Sequence, residues 1–88
     1  MQTIIVRHKV GDLNRWLKGH QERLDLFAGA GATFQTFQDA NDANSILLVV
    51  QASDPGKLAA VINDPANAQV KAEHTVMEPI TMSMQVAL

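Results

Sequence analysis

The sequence predicts a single α+β domain, residues 1–88, in which strands and helices follow the order β-α-β-β-α-β. Two observations predict this order. An extended segment followed by a helical one occurs twice, first around Gly11-Asp12 and again around Asp54-Pro55. An Asn/Asp-rich segment, typical of a tight turn, separates the two middle strands. With 47% hydrophobic and 18% charged residues, the chain is too apolar for disorder, and its length leaves no room for a second domain.

The first unit begins with a strand over Thr3–Val10, in which apolar side chains alternate with polar ones. Asp12 is a good N-cap for the helix that follows. Apolar side chains at helical spacing predict one buried stripe on this helix. Its members are Leu13, Trp16, Leu17, His20, Leu24, Phe27 and Ala28. Gly29-Ala30-Gly31 ends the helix, because glycine commonly follows a helix C-terminus.

The second unit contains two strands that flank the turn at Asp39–Ser45. They are predicted at Thr33–Gln38 and Ile46–Gln51. The second of these is apolar at both parities as far as Val50, which favours a strand covered on both faces.

Each of two Asp-Pro pairs is typical of a helix start, so the next helical segment is predicted to be broken in two. Its parts are Pro55–Ile62 and Pro65–His74. A last strand alternates Ile80, Met82, Met84 and Val86 with polar residues. The result is a four-stranded antiparallel sheet with helices on one face. Its other face must meet solvent or a partner, and a core this small favours self-association. We therefore expect a homodimer joined through the sheet faces.

Composition excludes several classes of function. A net charge of -2, a pI near 5.8 and scattered basic residues argue against nucleic-acid binding. No apolar run reaches membrane-spanning length, and the N-terminal residues do not have the pattern of a signal peptide. The sequence therefore predicts a cytoplasmic protein without membrane contact. It contains no cysteine, and its three histidines are far apart, so we expect no metal site.

The segment Thr3–Val10, then Asp12, then Trp16 four residues later, then Gly31, resembles small members of the dimeric α/β-barrel superfamily. The resemblance covers nearly the whole chain, including the Asp64-Pro65 and Glu78-Pro79 pairs. These ferredoxin-like domains are related to antibiotic-biosynthesis monooxygenases, polyketide cyclases and muconolactone isomerases. The resemblance implies two sheets that pair face to face across a dimer, and a pocket in each subunit between sheet and helices. It implies no bound cofactor.

Three positions depart from that pattern. Such relatives often carry an aromatic residue at the position of His20, a histidine at that of Arg23 and an arginine at that of Phe27. The roles of those side chains therefore cannot be transferred to this chain, and the fold alone does not specify an activity.

The candidate catalytic residues are His8 and His20. His8 has the parity of the apolar strand face, and His20 lies on the predicted helical stripe, so both are expected to project into the pocket. Imidazoles titrate near neutral pH and can act as acid or base there. The alternative is that both are packed, hydrogen-bonded histidines without a catalytic role.

Five residues are candidates for ligand binding: Trp16, Arg23, Phe34, Met82 and Met84. Trp16 is suited to stacking on a planar ligand, although a lone tryptophan is more often part of the core. Arg23 is suited to pairing with a carboxylate or phosphate, but its position beside the stripe is also typical of a solvated residue. The others would line an apolar site or simply pack between sheet and helices.

Two classes of function remain. The first is a cofactor-independent enzyme of the monooxygenase, cyclase or isomerase kind, acting on a small apolar, ring-containing compound. The second is a non-catalytic ligand-binding or structural homodimer with incidental histidines. An enclosed cavity lined by both imidazoles would favour the first, and a filled core would favour the second.

Overall fold

A computed structural model describes residues 1–88 and confirms the predicted α+β fold class. The strands are β1 (Gln2–Val10), β2 (Ala32–Gln38), β3 (Ser45–Ala52) and β4 (Val76–Met84). The helices are α1 (Leu13–Lys18), α2 (His20–Gly29), α3 (Pro55–Asn63) and α4 (Ala68–Glu73), with a 3-10 turn at Pro65–Asn67. No helix is long and apolar enough to cross a membrane.

All four strands form one antiparallel sheet in the order β2-β3-β1-β4. Ile4 pairs with Val50 of β3 and with Met84 of β4, which places β1 in the interior of the sheet. The pairing of β1 with β4 is irregular between Arg7 and Lys9, beside His8. Such an irregularity bends a strand locally and changes the direction of neighbouring side chains.

The core lies between one sheet face and the helices. From β1 it takes Ile4, Val6 and Val10, and from β3 the alternate residues Ile46 to Ala52. Trp16 of α1 and Leu58 of α3 are fully buried against them. The strict alternation of buried and less buried residues along β3 shows that one face is covered and the other is only half-buried. The chain itself therefore covers one face of this strand, and the predicted covering of its other face stays a prediction that depends on a partner.

The predicted first helix is two helices, divided at Gly19. This residue ends α1, where its N–H donates to the carbonyl groups of Trp16 and Leu17. Its backbone leaves the helical conformation, at φ -85° and ψ 8°. The buried face nevertheless continues across this break. Its members Trp16, Arg23, Phe27 and Ala30 recur at helical spacing. The buried stripe therefore passes through Arg23, whereas His20 and Ala28 of the predicted stripe are exposed.

Other predicted boundaries agree closely with the structure. Asp54 and Asp64 each cap a proline-initiated turn with a side-chain oxygen, which confirms the break between the two later helical segments. Gly31 has φ +70° just past α2, a conformation that glycine adopts readily. The last strand differs most: β4 begins at Val76, four residues before the predicted alternation, and ends at Met84.

The second sheet face has an apolar centre with a polar border. Ile5 pairs with Val49, and Leu47 pairs with Phe37, so these four side chains lie side by side on the face away from the helices. Phe37 is half exposed. This arrangement is called the open sheet face below.

Candidate functional site

A cavity of about 80 Å³ lies between the sheet and the helices. Most of its lining is apolar and comes from β1, β3, α2, α3, α4 and β4. The principal apolar residues are Val6, Leu26, Leu48, Ile62, Val70 and Ile80. The polar lining consists of His8, Arg23, Asn67, Lys71 and His74. An apolar cavity with a few converging polar groups is the usual form of a small-molecule site.

His8 projects from β1 toward the helices and is buried. Its Nδ1–H donates to the backbone carbonyl of Lys9 at 3.0 Å, because a carbonyl oxygen can only accept. The other ring nitrogen, Nε2, therefore carries a lone pair. Burial lowers the pKa of His8 from its ordinary value of 6.5, so the ring is neutral near pH 7. A neutral imidazole with a free Nε2 lone pair can accept a proton.

Arg23 projects from α2 and is only 6% exposed. Its Nη1 lies 3.1 Å from Nδ1 of His74, and its Cζ lies 3.8 Å from the centre of the Trp16 ring. Its Nε and Nη2 are buried and have no hydrogen-bond partner. Burial lowers its pKa to about 10, which leaves the guanidinium charged at neutral pH. The alternative that Arg23 is a solvated residue was wrong, because Arg23 lies seven positions after Trp16 and so shares its buried face.

His74 follows α4 and joins this cluster to the surface. An arginine nitrogen can only donate, so His74 Nδ1 accepts from Arg23. Its Nε2–H then donates to the carboxylate of Glu22 at 2.8 Å. The two bonds fix one neutral tautomer of His74 and hold its ring between α2 and the cavity. The separation of 51 positions between Arg23 and His74 conceals the pair in the sequence.

Trp16 is fully buried, as its predicted place in the core requires. Its ring is covered on one face by Arg23, and the ring of His8 meets it edge-on at 5.8 Å between centres. It does not line the cavity directly. Trp16 therefore supports the two residues that do, His8 and Arg23, through stacking.

The structure separates the two histidines that were predicted to share the pocket. His20 is exposed at the first position of α2 and meets only the edge of Phe34, at 5.8 Å between ring centres. It borders an open surface groove with Leu17 and Thr36, away from His8. Its predicted burial was wrong because the buried face passes through Trp16 and Arg23, and His20 lies to one side of it.

The remaining predicted ligand-binding residues also lie outside the cavity. Phe34 packs against Phe27, with ring centres 4.7 Å apart, and belongs to the core periphery. Met82 is half-buried against the core, while Met84 is 49% exposed near the end of β4. Nowhere do three histidine, cysteine or carboxylate side chains converge in the arrangement that a metal ion needs.

Solved structures with the same architecture include several described as antibiotic biosynthesis monooxygenases. One superposes with a TM-score of 0.69 and 13% identity, over 100% of this chain and 99% of the other. A candidate antibiotic biosynthesis monooxygenase from Bordetella bronchiseptica gives 0.73 and 16%, with the same coverage. The chain shares their ferredoxin-like fold.

SnoaB, a cofactor-independent oxygenase from Streptomyces nogalater, has this ferredoxin-like fold as well. Its TM-score is 0.68 at 13% identity, over 98% of this chain and 93% of SnoaB. No protein-family model matches the sequence, and no curated protein is similar to it. At these identities the likeness shows the fold alone, so function has to be argued from the cavity.

Proposed function

We propose that this protein binds a small apolar, ring-containing compound in the cavity between sheet and helices and moves a proton on it. The chemistry would be of the cofactor-independent monooxygenase, cyclase or isomerase kind. The observation that supports this most strongly is His8: a buried, neutral imidazole with a free Nε2, at the wall of an apolar cavity. Proton abstraction next to a carbonyl group is a step common to all three reaction types.

The proposed chemistry needs only groups that line the cavity. His8 Nε2 takes a proton from a carbon next to a carbonyl group, and the electron pair of the broken C–H bond moves onto the carbonyl oxygen. The low polarity of the cavity strengthens any electrostatic interaction with the negative charge that develops on that oxygen. Returning the proton to another atom gives an isomerase. Reaction of the carbanion with O₂ gives the oxygenase outcome, in which a CH₂ group and O₂ become a C=O group and water.

The fold of SnoaB supports the oxygenase variant, because it shows that this architecture can house oxygenation without a cofactor. A non-catalytic homodimer remains the second candidate. The apolar centre of the open sheet face, around Ile5 and Val49, favours it.

The test is hydrogen–deuterium exchange at the CH₂ groups next to the carbonyl of cyclopentanone, a single-ring ketone, in D₂O, followed by proton NMR. The protein should accelerate the exchange, and His8→Gln should remove the acceleration while circular dichroism remains unchanged. His20→Gln is the matched control and should behave like the wild type. Oxygen uptake with the same ketone then distinguishes the oxygenase from the isomerase. Exchange no faster than in buffer would leave the non-catalytic dimer as the better account.

A further inference from the structure

Arg23 takes part in no ion pair. The structure contains two ion pairs, Lys9–Asp42 and Lys71–Glu78, and the neutral His74 ring donates a hydrogen bond to Glu22. The Glu22 carboxylate acts on Arg23 only through space, where it raises the pKa of the guanidinium group. The nearest acidic residue in sequence, Glu22, is bonded to His74 instead. Arg23 thus has one hydrogen bond to a neutral imidazole and two buried nitrogens, Nε and Nη2, with none.

This arrangement is unusual because a buried charge is normally paired. Burying a cation outside an ion pair destabilises the fold, and each unpaired buried donor adds to that cost. The stacking on Trp16 offsets only part of it. Unpartnered buried donors in a native structure are explained by a bound water, an ion or a ligand group.

The free nitrogens form one edge of the guanidinium group. Nε–H and Nη2–H point in the same direction, and such an edge matches the two oxygens of a carboxylate with two parallel hydrogen bonds. His74 occupies Nη1 on the other side, so it holds the group in place without taking that edge. Both edge nitrogens are fully buried, so a carboxylate reaches them only when neighbouring side chains move.

The other charged groups of the cavity have the same sign. Lys71 and Arg23 both line it, whereas no aspartate or glutamate does. Glu78 reaches Lys71 only at 3.8 Å and from a largely exposed position. A cavity with cationic walls and no carboxylate attracts anions.

We infer that the ligand of this cavity is a small monocarboxylate, bound through its two oxygens to Nε and Nη2 of Arg23, with an apolar body of at most one ring. The inference rests on the proposed function and names its ligand class. The size limit follows from the volume: about 80 Å³ is roughly half of a cavity that holds benzene, about 150 Å³. One ring therefore requires some outward movement of the half-buried side chains, among them Asn67, Val70 and Lys71.

The experiment compares 4-fluorobenzoate with its neutral analogue 4-fluorobenzamide by fluorine NMR titration. Wild type should bind the carboxylate about tenfold or more tightly than the amide, as expected for hydrogen bonds to a charged group. Arg23→Met keeps much of the side-chain length and removes the buried charge. It should abolish that preference and leave amide binding unchanged. Arg15→Met removes an exposed arginine of α1 and should bind both probes like the wild type.

Thermal melting of the wild type gives a second readout that needs no variant. 4-Fluorobenzoate should raise the melting temperature more than 4-fluorobenzamide does at equal concentration. Equal affinity for both probes, unchanged in Arg23→Met, would overturn the carboxylate inference and leave the cavity as a neutral-ligand site. If neither probe binds, the inference fails as well. The proposed function is then judged separately by the His8-dependent exchange of cyclopentanone.

Discussion

Arg23 Nη1 donates to His74 Nδ1 across 3.1 Å in the buried interior, while Glu22, the residue before Arg23, accepts from the other nitrogen of the same ring. Two consecutive residues of α2 therefore hold one imidazole from its inner and outer sides. The inner bond positions a buried cation, and the outer bond reaches a half-exposed carboxylate. The ring can satisfy both only as the neutral Nε2–H tautomer.

Replacing His74 by phenylalanine should destabilise the protein. His74→Phe keeps a ring at this position but leaves Arg23 without any hydrogen bond, which should cost about 1–3 kcal/mol of unfolding free energy. Urea denaturation measures the loss. Glu22→Gln is the control, because its amide oxygen still accepts from Nε2–H, and it should cost much less. Equal stability of wild type and His74→Phe would mean that the Arg23–His74 bond contributes nothing.

Gly19 provides a steric test of the same cluster. A Cβ at this position would lie 2.5 Å from the His74 ring atoms Cε1 and Nε2, although the backbone angles suit any residue. Gly19→Ala should therefore displace His74, break its bonds to Arg23 and Glu22, and lower the melting temperature by several degrees.

Gly29→Ala is the matched control for that substitution. A Cβ there meets nothing within 4 Å, so this variant should equal or slightly exceed the wild type in stability, by up to about 1 kcal/mol. If both alanine variants melt like the wild type, the contact between Gly19 and His74 does not constrain the fold.

The sequence predicted the element order and the strand faces because period-two alternation and Asp-Pro starts are local signals. Asp12, Asp54 and Asp64 cap the turns at which they were expected to do so. Within the candidate site, it predicted the inward direction of His8 and the burial of Trp16 for the same reason.

The rest of the site depended on signals that are not local. One glycine between two good helical segments was compatible with an unbroken helix, so the break at Gly19 was missed. The predicted stripe followed apolar residue types and included His20, whereas the buried face includes the charged Arg23. The bond from Arg23 to His74 depends on tertiary packing of α2 against the residue after α4. A mixed histidine and arginine cluster has no spacing rule, so only the structure reveals it.

His8 should make stability depend on pH in one direction. Burial lowers its pKa in the folded state below 6.5, with a smaller contribution from Arg23, while the Lys9 carbonyl and Glu78 act in the opposite sense. Above about pH 6.5 the His8 ring is neutral in both the folded and the unfolded chain, so it does not make the free energy of unfolding depend on pH there. Below it the unfolded chain binds a proton that the folded chain resists. Stability should therefore fall as pH falls, until the folded-state pKa is passed.

Chemical denaturation between about pH 5 and 8 measures this slope. His8→Gln should flatten it relative to the wild type, and the exposed His20→Gln should retain it. NMR titration of the His8 ring measures its folded-state pKa directly and needs no variant. A His8 pKa at or above 6.5 in the folded protein would contradict the burial that defines the site.

The open sheet face should carry the dimer contact that we propose. Ile5, Leu47 and Val49 form an apolar centre at its middle strands, and the small core of a chain this size gains from further burial. Light scattering at micromolar concentration should give about twice the chain mass of 9.6 kDa. Val49→Glu places a charge at the centre of this contact and should reduce the measured mass to that of one chain. Ala60→Glu, on the exposed side of α3, should leave it unchanged. A wild-type mass of one chain at these concentrations would rule out this dimer.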